Sequence, residues 1–210
     1  MITGAGSALW VRGIRIGFAV LGIVALVWIP IRDIGDAGFS LGNYLSYFTI
    51  ESAVFGVLVL LFGGLIDPQG RRWQEVRGAA TLYLLITGVV YAVLLANIDV
   101  MLQDQWINSV LHRVLPIVVM ADWLLIPARL GAGARLVVGW LIYPAVYGVY
   151  TLIRGAIVDW YPYPFMDPRG QGYVSLFIGM VMLAAVFALL ATAVAGLGAL
   201  RGPPRADSAG

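Results

Sequence analysis

A few polar side chains are written into long apolar runs where polarity is costly, and these are the residues able to do chemistry. YFTIES places Thr49, Glu51 and Ser52 near the start of one run. NSVLHRVLP places Asn108, His112 and Arg113 near the start of another, and YTLIRGAIV carries Arg154 near the end of a third. An ionisable group at the centre of a membrane helix costs about 2.5–3.5 kcal/mol on insertion scales, so such groups face a protein interior or a wet cavity. A threonine hydroxyl becomes nucleophilic when a neutral imidazole within hydrogen-bond reach takes its proton. The chain has one histidine and no cysteine, so Thr49 and His112 are the expected nucleophile and base. The chemistry they would support is acyl transfer from an ester: Thr49 attacks the carbonyl, His112 shuttles the proton, and water then releases the acyl group.

The neighbouring groups have expected supporting roles. Arg154 or Arg113 would steady the developing oxyanion or hold a substrate carboxylate. Glu51 would pair with one of these arginines. It is not expected to orient the nucleophile, because two residues along a helix point about 200° apart. Asn108, one turn before His112, would fix the ring with its side chain. Pro116 cannot donate the backbone bond that reaches the carbonyl of His112, so a bend or local opening is expected beside the histidine. Each residue also has a plain structural reading. A lone membrane threonine ordinarily bonds back to the carbonyl four residues earlier, a lone histidine is ordinarily a satisfied packing residue, and a Glu–Arg pair is as easily structural as catalytic.

The elements that must position these residues follow from composition. Of 210 residues, 61% are hydrophobic and 11% charged, far from the roughly 25% charged content of a soluble domain, and the mean hydropathy is +0.91. An all-α integral membrane protein is expected, with helical spans of about 20 residues near 11–31, 43–66, 77–97, 107–127, 136–157 and 172–199. Residues 1–200 read as one six-helix domain, and RGPPRADSAG at 201–210 as a disordered tail. The opening run is long and no small-residue cleavage site follows it, so it reads as an uncleaved first span. AVAGLGAL near the C-terminus offers small residues for helix packing.

All 13 basic residues are arginine, and the net charge of +2 is too small to argue for nucleic acid. Arg12, Arg15, Arg71, Arg72, Arg77, Arg129, Arg135, Arg201 and Arg205 fall on one side of the predicted spans, whereas Arg32 and Arg169 fall on the other. The positive-inside rule then makes both termini cytoplasmic. At about 1.5 Å per residue, Thr49 and Glu51 lie roughly 6–9 Å below the outer end of their span and His112 roughly 6 Å below that of its own, a layer that Arg154 shares from the last turn of the fifth span. Asp122 lies near the inner end of the fourth span, where Arg129 or another cytoplasmic arginine is expected to satisfy it. WYPYPF in the last outer loop reads as an interfacial aromatic belt.

YFTIES, NSVLHRVLPIVVMADWLL and YPAVYGVYTLIRGAIVDWYPYPFMDP, set in six spans over about residues 11–195, resemble the bacterial branch of the androgen-induced family of integral membrane proteins. Animal members of that family are threonine hydrolases that cleave fatty acid esters of hydroxy fatty acids. The resemblance implies that Thr49 in YFTI is the nucleophile and that His112 is the second catalytic residue. Where the bacterial pattern carries glutamine, serine and asparagine after the threonine, this chain has Glu51, Ser52 and Ala53.

The expected protein is therefore a membrane-embedded hydrolase of lipid esters, multi-pass in a bacterial plasma membrane. The substrate's chains would stay among the helices and membrane lipids while its ester reaches the polar layer. No metal or cofactor is required, and one histidine cannot supply both axial ligands of a bis-histidine haem. The alternative is a small transporter or lipid-binding protein in which Glu51, Arg154 and His112 form a substrate or proton site.

Overall fold

Among the described residues six helices are long and apolar enough to cross a membrane: Leu9–Asp33, Phe48–Leu65, Arg71–Leu95, Gln105–Leu125, Ala134–Val158 and Pro168–Leu200. The computed structural model describes residues 6–95, 104–126, 128 and 130–200, and among them there are no strands. The tail at 201–210 and Arg129 lie outside the described residues. In chain order the helices are α1 (Leu9–Asp33), α2 (Leu41–Leu45), α3 (Phe48–Leu65), α4 (Arg71–Val90), α5 (Gln105–Ser109), α6 (Leu115–Leu125), α7 (Ala134–Val158) and α8 (Pro168–Leu200). Among the described residues two π turns interrupt the pattern. Tyr91–Leu95 extends α4, and Val110–Val114 joins α5 to α6. Gly172 (φ 79°, ψ 160°) kinks α8 near its start. The bundle is a multi-pass membrane protein, and α8 leaves Val174, Phe177, Val181, Met182 and Leu189 exposed, as a lipid-facing helix does.

The expected span over 43–66 is broken in two. Ser46 and Tyr47 separate α2 from α3, with Tyr47 in an extended conformation (φ −80°, ψ 128°). The break is held from α7. The Tyr147 hydroxyl donates to the Ser46 carbonyl at 2.9 Å and accepts the Phe48 N–H at 3.1 Å. Thr49 consequently sits in the first turn of its span instead of well inside a continuous helix.

Close approach of the helices relies on small residues. A Cβ on Gly22 would lie 2.4 Å from Val57, and one on Gly56 would lie 2.3 Å from Leu84. These two contacts bring α1 and α4 onto neighbouring faces of α3, about 100° apart. At the C-terminus, Gly198 of AVAGLGAL packs on Trp123, whose indole N–H donates to the Val194 carbonyl at 3.1 Å and pins α8 to α6.

One end of the bundle carries a buried ionic network. Arg15 reaches Asp122 at 2.7 Å and Asp67 at 3.1 Å, and Arg77 reaches the same Asp122 at 2.7 Å. Asp67 also accepts from the Ser7 backbone N–H and hydroxyl at 2.5 and 2.8 Å. Asp122 is thus satisfied by Arg15 and Arg77. Breaking one partner of such a network costs about 3–5 kcal/mol because a charge is left buried without compensation. The network ties together α1, the α3–α4 connection, α4 and α6. Thr49 starts the helix that ends near Asp67, so the candidate site lies at the opposite end.

Candidate active site

The π turn at Val110–Val114 places His112. Pro116 has no N–H for the His112 carbonyl, and the Leu115 N–H reaches back five residues to the Val110 carbonyl. One extra residue is thereby accommodated in the turn, the local opening expected beside the proline. Gly88 of α4 fits against the notch. A Cβ there would lie 3.2 Å from the Pro116 Cβ and 3.3 Å from the His112 carbonyl oxygen.

The two candidate reacting groups meet. Thr49 Oγ1 lies 3.2 Å from His112 Nε2, and His112 Nδ1 lies 3.1 Å from the Asn108 carbonyl oxygen. A carbonyl only accepts, so Nδ1 carries its proton. In the neutral ring, Nε2 then presents a lone pair to the Thr49 hydroxyl. The geometry meets the hydrogen-bond reach that a general base needs.

The threonine is free to use this contact because its helix has only just begun. Thr81, Thr87 and Thr192 each donate to the carbonyl four residues earlier, at 2.9, 3.1 and 2.8 Å. Thr49 does not, because position 45 belongs to α2 on the far side of the break. Its hydroxyl contacts His112 and, at 3.4 Å, the Tyr163 hydroxyl. Ser52 turns away from the pair, bonding Thr87 Oγ1 at 2.8 Å and the Thr49 carbonyl at 3.2 Å.

Asn108 acts on the ring differently from the expectation. Its backbone carbonyl, not its side chain, holds Nδ1. The side-chain Nδ2 instead donates to the Tyr91 hydroxyl at 2.8 Å, and Tyr91 stacks on His112 with ring centroids 4.3 Å apart and planes 28° apart. The second π turn begins at Tyr91, and it faces the first.

Among the described residues Glu51 pairs with no arginine. It accepts from the Tyr143 hydroxyl at 2.5 Å, on the side of α3 away from Thr49, as the 200° separation requires. Arg154 donates to Asn43 Oδ1 at 2.8 Å and lies 5.4 Å over the Trp160 ring. Arg113 lies 5.8 Å over the Tyr91 ring. Neither arginine lines a cavity at the threonine, which removes them from the expected oxyanion role. Glu51, Arg154 and His112 thus have three separate sets of partners.

Two cavities open on Thr49. The larger, about 420 Å³, is lined by His112, Tyr91, Ile50, Tyr44, Asn43 and Trp160 among others, a volume within the range of small-molecule sites. The smaller, about 60 Å³, runs between α4, α7 and α8 along Ile86, Pro144, Met180, Leu183 and Phe187. Thr49, Leu95 and Tyr163 line both. Among the described residues no group of three or more His, Asp or Glu side chains is arranged to hold a metal ion.

Tyr163 escaped the sequence reading. WYPYPF was expected at the membrane interface, yet Tyr163 is buried at the site. Its ring stacks on Phe165 with centroids 5.2 Å apart and meets the Tyr47 ring edge-on at 5.7 Å. Its hydroxyl also accepts the Thr49 backbone N–H at 3.3 Å. Burial pushes the phenol up to about 12, so it is a neutral donor at ordinary pH. The flanking Pro162 and Pro164 stiffen the loop that carries this ring, but the sequence holds no signal that turns it inward.

Comparison with protein-family models, curated proteins and solved structures finds no match to this chain.

Proposed function

We propose that the chain is a membrane-embedded hydrolase of lipid esters, with Thr49 as nucleophile and His112 as general base. The observation that carries this reading is the 3.2 Å approach of Thr49 Oγ1 to His112 Nε2, with Nδ1 committed to the Asn108 carbonyl, at the wall of a cavity of about 420 Å³. Thr49 Oγ1 attacks the ester carbonyl as its proton passes to Nε2. The tetrahedral intermediate collapses, the C–O bond to the alcohol breaks, and the departing oxygen takes the proton from His112. Water, activated by the same imidazole, then hydrolyses the acyl-threonine.

The likeness of YFTI and NSVLHRVLP to the androgen-induced family selects the same pair and suggests fatty acid esters of hydroxy fatty acids as substrates. Arg154 supports a substrate with an acidic end. Its partners Asn43 and Trp160 line the larger cavity, and among the described residues it has no carboxylate partner. The arginine-rich end of the bundle favours the cytoplasm, which would put the site in the outer leaflet of a bacterial plasma membrane.

The test is purified protein in lipid nanodiscs, assayed on a panel of long-chain esters beside Thr49→Ala and His112→Ala at matched thermal stability. Both variants should lose turnover and still bind ester. Undiminished hydrolysis by Thr49→Ala would refute the reading, and uptake of an intact ester without hydrolysis would favour the transporter.

A further inference from the structure

The acyl-transfer reading leaves the oxyanion without a donor, since Arg113 and Arg154 stand apart from the threonine. We propose that the Tyr163 hydroxyl is that donor, and that the ester carbonyl sits where the two cavities join, between Thr49 and Tyr163. The inference rests on the hydrolase reading and deepens it.

Three observations converge. First, the proton inventory leaves Tyr163 a hydrogen to give. The bare Nε2 of His112 takes the Thr49 hydroxyl proton, and the phenolic oxygen of Tyr163 accepts the Thr49 N–H at 3.3 Å. The Tyr163 proton can then point to one of the two lone pairs on Thr49 Oγ1, 3.4 Å away, which leaves the other for attack.

Second, the N–H that Tyr163 accepts belongs to the first turn of α3, an 18-residue helix. The positive end of the helix dipole and this peptide hydrogen polarise the phenol, strengthening it as a donor. The helix end thus acts on the oxyanion through the hydroxyl that caps it.

Third, an ester extends two chains from one carbonyl, and Tyr163 and Thr49 are two of the three residues shared by both cavities. The slot of about 60 Å³ toward Phe187 admits only the short end of one chain, while the larger chamber of about 420 Å³ takes the long one, with the carbonyl between Thr49 and Tyr163.

The chemistry follows from where the proton points before and after attack. In the resting site it rests on Oγ1. As Oγ1 bonds to the carbonyl carbon, its lone pair becomes the new C–O bond and the π electrons move to the carbonyl oxygen. The Tyr163 hydrogen then turns to that oxygen, one bond angle from Oγ1. The O–H bond of Tyr163 never breaks, and the bond to the oxyanion forms only as the tetrahedral centre does. An interaction made only in the transition state raises kcat without tightening the ground state.

The test uses the full chain in nanodiscs with a long-chain ester, the corresponding trifluoromethyl ketone as tetrahedral mimic, and the corresponding ether as an unreactive mimic. Tyr163→Phe keeps the ring against Phe165 and Tyr47 and removes the hydroxyl. We expect kcat to fall about 10²–10³-fold, as for loss of one oxyanion donor, with KM nearly unchanged. Ketone affinity should fall by a similar factor and ether affinity should not change. Unchanged kcat would overturn the inference, as would equal losses for ketone and ether, because the hydroxyl would then only shape the pocket. If Tyr163→Phe does not fold, a fluorotyrosine at the same position keeps the hydroxyl; an unaltered kcat and ketone affinity there would also refute the role. Hydrolysis surviving Thr49→Ala sinks the enzyme reading itself. Loss in Thr49→Ala with full activity in Tyr163→Phe sinks only the donor.

Discussion

Replacing Thr49 by valine and by serine separates the hydroxyl from the shape of the side chain. Valine conserves the branched outline but leaves His112 Nε2 without the donor it has at 3.2 Å. An unsatisfied buried acceptor costs about 1–3 kcal/mol. His112 lines the cavity of about 420 Å³, so water can take the vacated place and the cost should stay near the lower end. Turnover, in contrast, should fall about 10³-fold or more, because the nucleophile is gone. Serine keeps the oxygen and loses the methyl group. A helical threonine is confined to about two χ1 wells and serine to three, so restoring the productive rotamer costs RT ln(3/2), about 0.24 kcal/mol. That corresponds to about a 1.5-fold loss in kcat. The assay is release of a chromogenic alcohol from a long-chain ester, with covalent capture of the acyl-enzyme by mass spectrometry at residue 49. The double variant Thr49→Val with His112→Ala should be no slower than either single one, since groups that act as a unit are not additive. Turnover by Thr49→Val within about tenfold of the parent, equivalent to about 1.4 kcal/mol, would refute the reasoning. So would a serine variant as slow as the valine one.

Other outcomes follow from the surroundings of the pair. Gly88→Val would drive side-chain atoms into Pro116 and the His112 carbonyl, which a Cβ alone already approaches to 3.2 and 3.3 Å. Overpacking of this kind costs about 1–3 kcal/mol, and the displaced imidazole should lower kcat more than it raises KM, read by thermal melting and steady-state kinetics together. Phe187→Ala enlarges the apolar slot of about 60 Å³ and should shift the preferred chain length upward, measured by competition between esters of graded length. Asp67 has its carboxyl held below the ordinary value of 3.8: burial opposes this, but the two Ser7 donors and Arg15 outweigh it. A depressed carboxylate contributes stability that is fully present above its unfolded value and lost as pH falls through its folded value. Tm should therefore drop below about pH 4 in the parent and be flatter with pH in Asp67→Asn.

The six spans were legible because length and apolar composition suffice for a membrane helix, and their predicted limits fall within a few residues of the observed ones except at two starts: the second long helix begins at Phe48 instead of 43, after the break, and α4 at Arg71 instead of 77. The Thr49–His112 meeting was legible for a similar reason: depth along two helices of known direction restricts which polar groups can share a layer. What could not be read are the partners supplied across the fold. The break before Phe48 is held by Tyr147, about a hundred residues away in the chain. Glu51 went to Tyr143 rather than an arginine because α7 presents a phenol beside it. Asn108 offers its carbonyl to His112, a consequence of the π turn that side-chain spacing does not encode. Tyr163 sits in an aromatic loop whose composition is that of any membrane interface, and only the packing of Phe165 and Tyr47 turns it inward.

The departures from regular helix are distributed unevenly, and that distribution bears on function. At the Arg15–Asp122 end, helices run without interruption and the charged groups satisfy one another. At the other end, the break before α3, the two π turns and Pro116 all converge within reach of Thr49 and His112. Each departure disturbs regular backbone bonding and is tolerated at membrane depth only where protein or a wet cavity supplies substitutes. Each also has a local product. The break frees the threonine from its helical carbonyl, one π turn leaves the Asn108 carbonyl with Nδ1, and the other brings Tyr91 onto the imidazole. A bundle selected for stability alone would gain by regularising all of them. Their concentration around one hydroxyl and one imidazole supports the catalytic reading proposed above, and loss of turnover in Thr49→Ala and His112→Ala is what tests it.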